Sequence, residues 1–380
     1  MHLIIERNRF VHDVQRVAKA VSSRTTIPIL TGIKIVANNQ GITLTGSDSD
    51  ISIETFIPKE EEGSEIISIK DPGSIVLQAK YFAEIVKKLS GDTIELSVQD
   101  QFATTIKSGS AIFNLNGLDP EEYPRLPQVE EELVFRLPQD ILRNTIRQTV
   151  FAVSTQETRP VLTGVNLETN EEQLICTATD SHRLAMRKTK VVRNDEQLTF
   201  ENVVIPGKSL NELSKIIDES NEDIEIVVTD NQILFKLKNL LFFSRLLEGK
   251  YPVTKNMIPN HYKTTMQVKT KSFLQTLERA LLLSREAKNN VVNLKTLEDG
   301  LIEITSISPE IGKVTERIQS EGFDGEDMRI SFNGKNVIDA LKVIDSDDIS
   351  VEFTGAMSPF VIKPIEQDHY LHLFSPVRTY

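Results

Sequence analysis

At 380 residues the chain exceeds one typical domain and suits two or three. Its 39% apolar and 26% charged residues are ordinary for a globular protein, and no run of 18 apolar residues offers a membrane span, so a cytoplasmic protein without a membrane partner is expected. One cysteine, Cys176, excludes an internal disulfide and any multi-cysteine zinc site, and a net charge of −12 excludes a uniformly basic nucleic-acid binder: any such contact must come from basic side chains gathered on one surface.

Residues 1–7 lack the apolar stretch and small-residue cleavage site of a signal peptide. Phe10, Val14, Val17 and Val21 then recur at spacings of 4, 3 and 4, so a helix is expected to open the unit. Strands are expected over 32–37, 42–47 and 51–56, with Asn38, Asn39, Gln40 and Gly41 forming the first hairpin turn. A second helix, KYFAEIVKKL, begins at Lys80 and leads through an acidic turn into the alternating strand DTIELSV.

That order recurs. PILTGIKI at 28–35 matches PVLTGVNL at 160–167, and the same offset of 132 carries Thr45-Gly46-Ser47-Asp48 onto Thr177-Ala178-Thr179-Asp180 without a gap. Leu142, Ile146, Thr149 and Val153 repeat the first helix, and Phe273, Leu277 and Ala280 begin a third copy. KSLNELSKII from Lys208 and KNVIDALKVI from Lys335 repeat the second helix at offsets of 128 and 127. Tyr123-Pro124 and Tyr251-Pro252 also lie 128 apart, while the third copy of the PILTG block is weaker, around Val292-Asn293-Leu294. Units this long are whole domains rather than solenoid repeats. The fold class expected is α+β: three repeated domains at 1–125, 126–255 and 256–380, each with two amphipathic helices packed on antiparallel sheet.

Within the second helices, Lys80 and Lys87 are two turns apart and share one face, roughly opposite Phe82, Ile85 and Leu89. Lys208 with Lys215, and Lys335 with Lys342, repeat the pair. Three copies of one lysine face in an acidic chain suit phosphate contacts without base reading. The segment Thr179–Leu184 contains Ser181 and His182, but adjacent residues of an extended segment point to opposite faces, and no Gly-x-Ser-x-Gly elbow exists. The first unit has Ser49-Asp50-Ile51 where the second has Ser181-His182-Arg183, which suggests a site particular to the second copy; drift in a surface loop is the alternative. The sequence contains no P-loop, dinucleotide fingerprint or HExxH, and its six histidines lack metal spacing, so no catalytic residue, metal or cofactor is expected.

The threefold repeat, Thr179–Leu184, Tyr251-Pro252 and the tail Pro376-Val377-Arg378 resemble the bacterial DNA sliding clamp family, the beta subunits of DNA polymerase III, over the whole chain. That resemblance implies a head-to-tail homodimer, a ring of six domains whose helices line a hole around double-stranded DNA bound without regard to sequence. It points the lysine faces inward and adds Arg24 and Gln156 as DNA contacts. It implies one peptide-binding pocket per chain at Arg159, Leu162, Thr179, His182, Arg183, Leu184, Pro252, Met257, Pro376, Val377 and Arg378, whose apolar members hold the anchors of short linear motifs. The partners implied are the replicative polymerase's catalytic subunit, the clamp loader complex, and repair and translesion polymerases. Asn256 stands where some members have arginine, and Ser375 where the tail is usually apolar. The implied dimer contact sets Phe113 and Leu115 of one chain against Leu282 and Leu283 of the other. A repeat scaffold that binds only proteins is the competing reading, and an enzyme the third.

Overall fold

Each repeat opens on a strand, not on the expected helix. The computed structural model describes residues 1–126, 133–170, 173–193, 199–218, 220–283, 290–365 and 367–378. In it His2–Glu6 is extended, with Leu3 and Ile5 buried on one face. Leu133–Pro138 buries Phe135 and Leu137 in the same way, and Thr264–Lys269 buries Met266 and Val268. A two-residue burial period makes each a strand, and a helical period begins at the next residue. Among the described residues the helices are α1 (Arg7–Val17), α2 (Ala79–Lys88), α3 (Gln139–Thr149), α4 (Gly207–Ser214), α5 (Thr270–Ala280) and α6 (Gly334–Leu341).

The first helices stop short of the apolar stripe read from the sequence. A 3-10 turn at Ala18–Ala20 follows α1 and leaves Val21 extended at φ −99°, ψ 124°. The turn Val150–Ala152 after α3 leaves Val153 at φ −68°, ψ 154°. Serine hydroxyls supply the competing bonds: the Ser22 Oγ accepts from the Arg24 amide at 3.1 Å, and the Ser154 Oγ from the Gln156 amide at 3.0 Å. Two of the second helices are also shorter than expected. α4 ends at Ser214, beyond which the Lys215 and Ile216 amides bond only three residues back, to Glu212 and Leu213, and Lys342 is the C-cap of α6.

The described residues form two compact units. The first draws on Met1–Gln139, Val192–Glu196 and Asn211–Leu246. It holds a five-stranded sheet, with Ala111–Asn116 and Ile67–Asp71 at its edges, and a nine-stranded sheet in which Leu240–Arg245 pairs antiparallel with Ile51–Pro58. The second draws on Asp140–Val191, Gln197–Leu210 and Leu247–Tyr380. Its nine-stranded sheet pairs Tyr370–Phe374 with Arg183–Lys190, and its four-stranded sheet has Gly312–Gln319 and Arg329–Asn333 as edges. In both units a strand from one repeat thus continues the sheet of the repeat before it.

Helices cover these sheets through the apolar stripes. Phe10, Val14 and Val17 of α1 are fully buried, as are Phe82 and Val86 of α2, and the Phe10 and Phe82 rings meet edge to face at 5.9 Å. In the second unit Phe273 and Leu277 of α5 and Val337 of α6 join Phe332, Phe353 and Phe360 in one core. Burying each such side chain contributes about 1.5–3 kcal/mol, so the opposite helix faces are free to carry charge.

Candidate functional site

The loop singled out between Thr179 and Leu184 is a hydrogen-bonded frame in the second unit. Asp180 Oδ1 accepts from the amides of His182 (2.9 Å) and Arg183 (3.0 Å), which turns the chain sharply and leaves Ser181 at φ 76°. That left-handed conformation is uncommon for a residue with a Cβ. The Thr179 hydroxyl closes the loop by donating to the Arg183 carbonyl at 2.6 Å. The His182 carbonyl accepts from the Ser375 amide at 2.9 Å, the Val377 amide donates to Ser331 at 2.7 Å, and Pro376 bridges to Phe332. These bonds seat the C-terminal tail beside His182, whose side chain stays exposed.

Arg183 points elsewhere. Its guanidinium pairs with Asp180 (3.0 Å) and with Asp339 of α6 (2.9 Å), and it lies 5.3 Å from the Phe151 ring. With its charge committed inside the chain, it braces the loop rather than offering a free cation. Phe151 in turn meets the His372 ring at 5.4 Å. His372 is fully buried, and neither ring nitrogen has a hydrogen-bond partner among the described residues. Burial, reinforced by the Arg183 charge, pushes its pKa down to about 3.

The apolar residues expected to grip a ligand fall into two groups. Leu162, only 3% exposed, packs with Val204 and Tyr251, and half-buried Val161 and Leu247 flank them. Leu184 is buried in a separate cluster with Met186 and Leu373, against which Ile258 and Tyr262 pack. Thr179 is buried as well. These three form floor and frame. The accessible members of the expected set are His182, Arg159, Pro252, Met257, Pro376, Val377 and Arg378. Tyr251 was not among the residues assigned to the pocket, yet its hydroxyl accepts the Thr179 amide at 3.0 Å and ties the loop to the Leu162 floor; burial raises its pKa and keeps it protonated. The recurrence of Tyr-Pro at 123 and 251 was the available signal.

The six lysines are all exposed. They are not equivalent as the repeat suggested: Lys215 is paired with Glu212 at 2.7 Å and Lys342 with Glu278 at 3.1 Å, whereas the Lys80 ammonium rests 5.6 Å from the Tyr81 ring. Arg24 and Gln156 are exposed at matching points of the two serine turns that end the first helices. Ala111–Asn116 is an edge strand carrying Ile112 (60% exposed) and Phe113 (38%) toward solvent. Leu115 is half-buried, so the alternation that groups it with Phe113 does not give the two equal exposure. Leu282 is 60% exposed beyond the end of α5, and Leu283 half-buried.

Models of the N-terminal, central and C-terminal domains of the DNA polymerase III beta subunit match residues 1–127, 136–253 and 255–378. The chain belongs to this family. A beta sliding clamp of Halalkalibacterium halodurans is 71% identical over the full length of both chains. The crystal structure of the Bacillus subtilis sliding clamp, 58% identical, covers both chains completely with a TM-score of 0.96. A Pseudomonas aeruginosa sliding clamp, solved bound to griselimycin, is 27% identical with a TM-score of 0.91, again over both chains in full. The expected three-domain clamp fold and its role as processivity factor of DNA polymerase III follow from these matches. In this clamp subunit, the second and third repeats supply the His182 loop and the tail it binds, within one compact unit.

Proposed function

We propose that two copies of this clamp subunit close head to tail into a ring around duplex DNA and tether polymerases through the groove at His182. The three repeats, 1–125, 126–255 and 256–380, are its domains. The observation that carries this reading is the edge strand Ala111–Asn116, open on one side among the described residues, with Ile112 and Phe113 exposed on it. An apolar open edge is an aggregation liability unless another chain covers it. Gly312–Gln319 is a second open edge, with the exposed Leu282 on the same unit, and a contact between the two edges uses Phe113 and Leu115 against Leu282 and Leu283.

Lys80, Lys87, Lys208, Lys215, Lys335 and Lys342, with Arg24 and Gln156, line the hole and meet phosphates without reading bases. Retention comes from enclosure, which lets an acidic protein hold DNA while sliding freely. The groove between Leu162, His182, Pro252, Met257 and the Pro376–Arg378 tail takes apolar anchors of short motifs from the polymerase catalytic subunit, the clamp loader, and repair and translesion polymerases in the cytoplasm. The subunit acts by enclosing and tethering, not by catalysis. Sedimentation tests the ring: the native chain runs as a dimer, and Leu282→Asp with Leu283→Asp, which would bury unpaired charge at several kcal/mol, runs as a monomer. A double variant that stays dimeric at low concentration overturns the assigned contact.

A further inference from the structure

We propose that the first compact unit carries a second docking groove, at Asp50 and Arg245, for a peptide segment that joins an apolar side chain to a carboxylate. The backbone bonds that frame His182 recur there. Asp48 Oδ1 accepts from the amides of Asp50 (3.1 Å) and Ile51 (2.9 Å), and Ser49 sits at φ 80° as Ser181 sits at 76°. The Arg245 amide donates to the Asp50 carbonyl at 2.9 Å, as Ser375 does to His182. The Leu30 amide donates to the Ile27 carbonyl at 3.0 Å, as Leu162 does to Arg159. A cavity of about 230 Å³ opens inside this frame. It is smaller than the roughly 300–1,000 Å³ that encloses a drug-sized molecule and suits one or two side chains.

Its walls are apolar where Leu30, Phe243 and Leu126 line it, and Ile27, 42% exposed, extends that surface to solvent. The substitutions between copies set the chemistry of the occupant. Asp50 replaces His182, Arg245 occupies the place of Ser375, and Arg125, next after the repeated Tyr-Pro pair, that of Val253. Arg125 and Arg245 are both exposed at this cavity, opposed by the single carboxylate of Asp50. Two guanidiniums on an otherwise acidic protein select a carboxylate, which they can hold through paired N–H donors. At the His182 groove the positions that match Arg125 and Arg245 carry Val253 and Ser375 instead, and Arg183 is committed to Asp180 and Asp339. The two grooves therefore take different peptides, and a partner with both kinds of segment gains avidity from one subunit.

The test uses the full-length protein and a capped tripeptide, Leu-Phe-Asp amide, with a photoreactive leucine. Cross-links are mapped by mass spectrometry, and their yield at each groove is followed against peptide concentration. Cross-links at residues 27–30 and 243–245 are expected. Their half-saturation point should rise about tenfold when Asp is replaced by Lys in the peptide, and about tenfold in Arg125→Glu with Arg245→Glu, as two partly exposed ion pairs allow. Should sedimentation show that this reversal disturbs the fold, Arg125→Gln with Arg245→Gln makes the same comparison, with a smaller loss expected. Cross-links confined to residues 182–184 and 375–377, equal yields from the Asp and Lys peptides, or no change in the arginine variants would each overturn the second groove while leaving the first standing.

Discussion

Replacing Tyr251 by phenylalanine removes one oxygen from beneath the His182 loop. Tyr251 is buried, and its hydroxyl accepts the Thr179 amide at 3.0 Å. Phenylalanine keeps the packing against Leu162 and Val204 but leaves a buried amide unpaired, which costs about 1–3 kcal/mol. For a unit of this size, each kcal/mol moves the thermal midpoint by about 2–4 °C, so a fall of about 2–12 °C is expected in the second unit by calorimetry. Thr179 also closes the loop on the Arg183 carbonyl, so a loosened Thr179 releases the frame that presents His182 and the tail. Peptide affinity should therefore fall about threefold to tenfold while the dimer persists. A Tyr251→Phe protein with unchanged midpoint and unchanged peptide affinity would refute the argument that this hydroxyl holds the site.

Three further outcomes are expected. Deleting residues 376–380 removes the Val377–Ser331 bond and the Pro376–Phe332 bridge, and should abolish peptide binding in calorimetry while sedimentation still shows a dimer. Lys80→Gln with Lys87→Gln should flatten the salt dependence of DNA affinity more than Lys215→Gln with Lys342→Gln, because the latter two lysines already face carboxylates; equal slopes would contradict this. His372 has a folded pKa near 3 against an ordinary 6.5, so the unfolded chain binds a proton that the fold refuses; its contribution is full above about pH 6.5 and is lost as pH falls toward 3, by up to about 1.4 kcal/mol per pH unit. His372→Leu should remove about one proton's worth of slope between pH 6 and 4 in urea titrations.

The sequence was most legible where a period or a repeat spoke. Offsets of 132, 128 and 127 found the three units, and the apolar stripes and repeated blocks found all six helices among the described residues. The opening strands were missed because five or six alternating residues sit directly against a helix: His2–Glu6 ends where α1 begins, with no turn residue between them. Helix ends were misplaced at Val21 and Val153 because apolar spacing is blind to a serine hydroxyl that captures a backbone amide two residues on. In the site, residue types announced Thr179–Arg183, but not that Arg183 would be consumed by Asp339, 156 positions away. That pairing depends on how the third repeat's strand Tyr370–Phe374 registers on Arg183–Lys190, which no local pattern encodes. Tyr251 escaped for the same reason, since its partner Thr179 lies 72 positions earlier.

Enclosure is tested most directly by the topology of the DNA. Protein placed on a closed circular duplex by a clamp loader should stay bound at salt that abolishes ordinary attraction to phosphates, and one cut that linearises the circle should release it, because it can slide off an end. Equal retention on the circle and on the linear duplex with free ends would contradict the ring and leave simple electrostatic binding in its place.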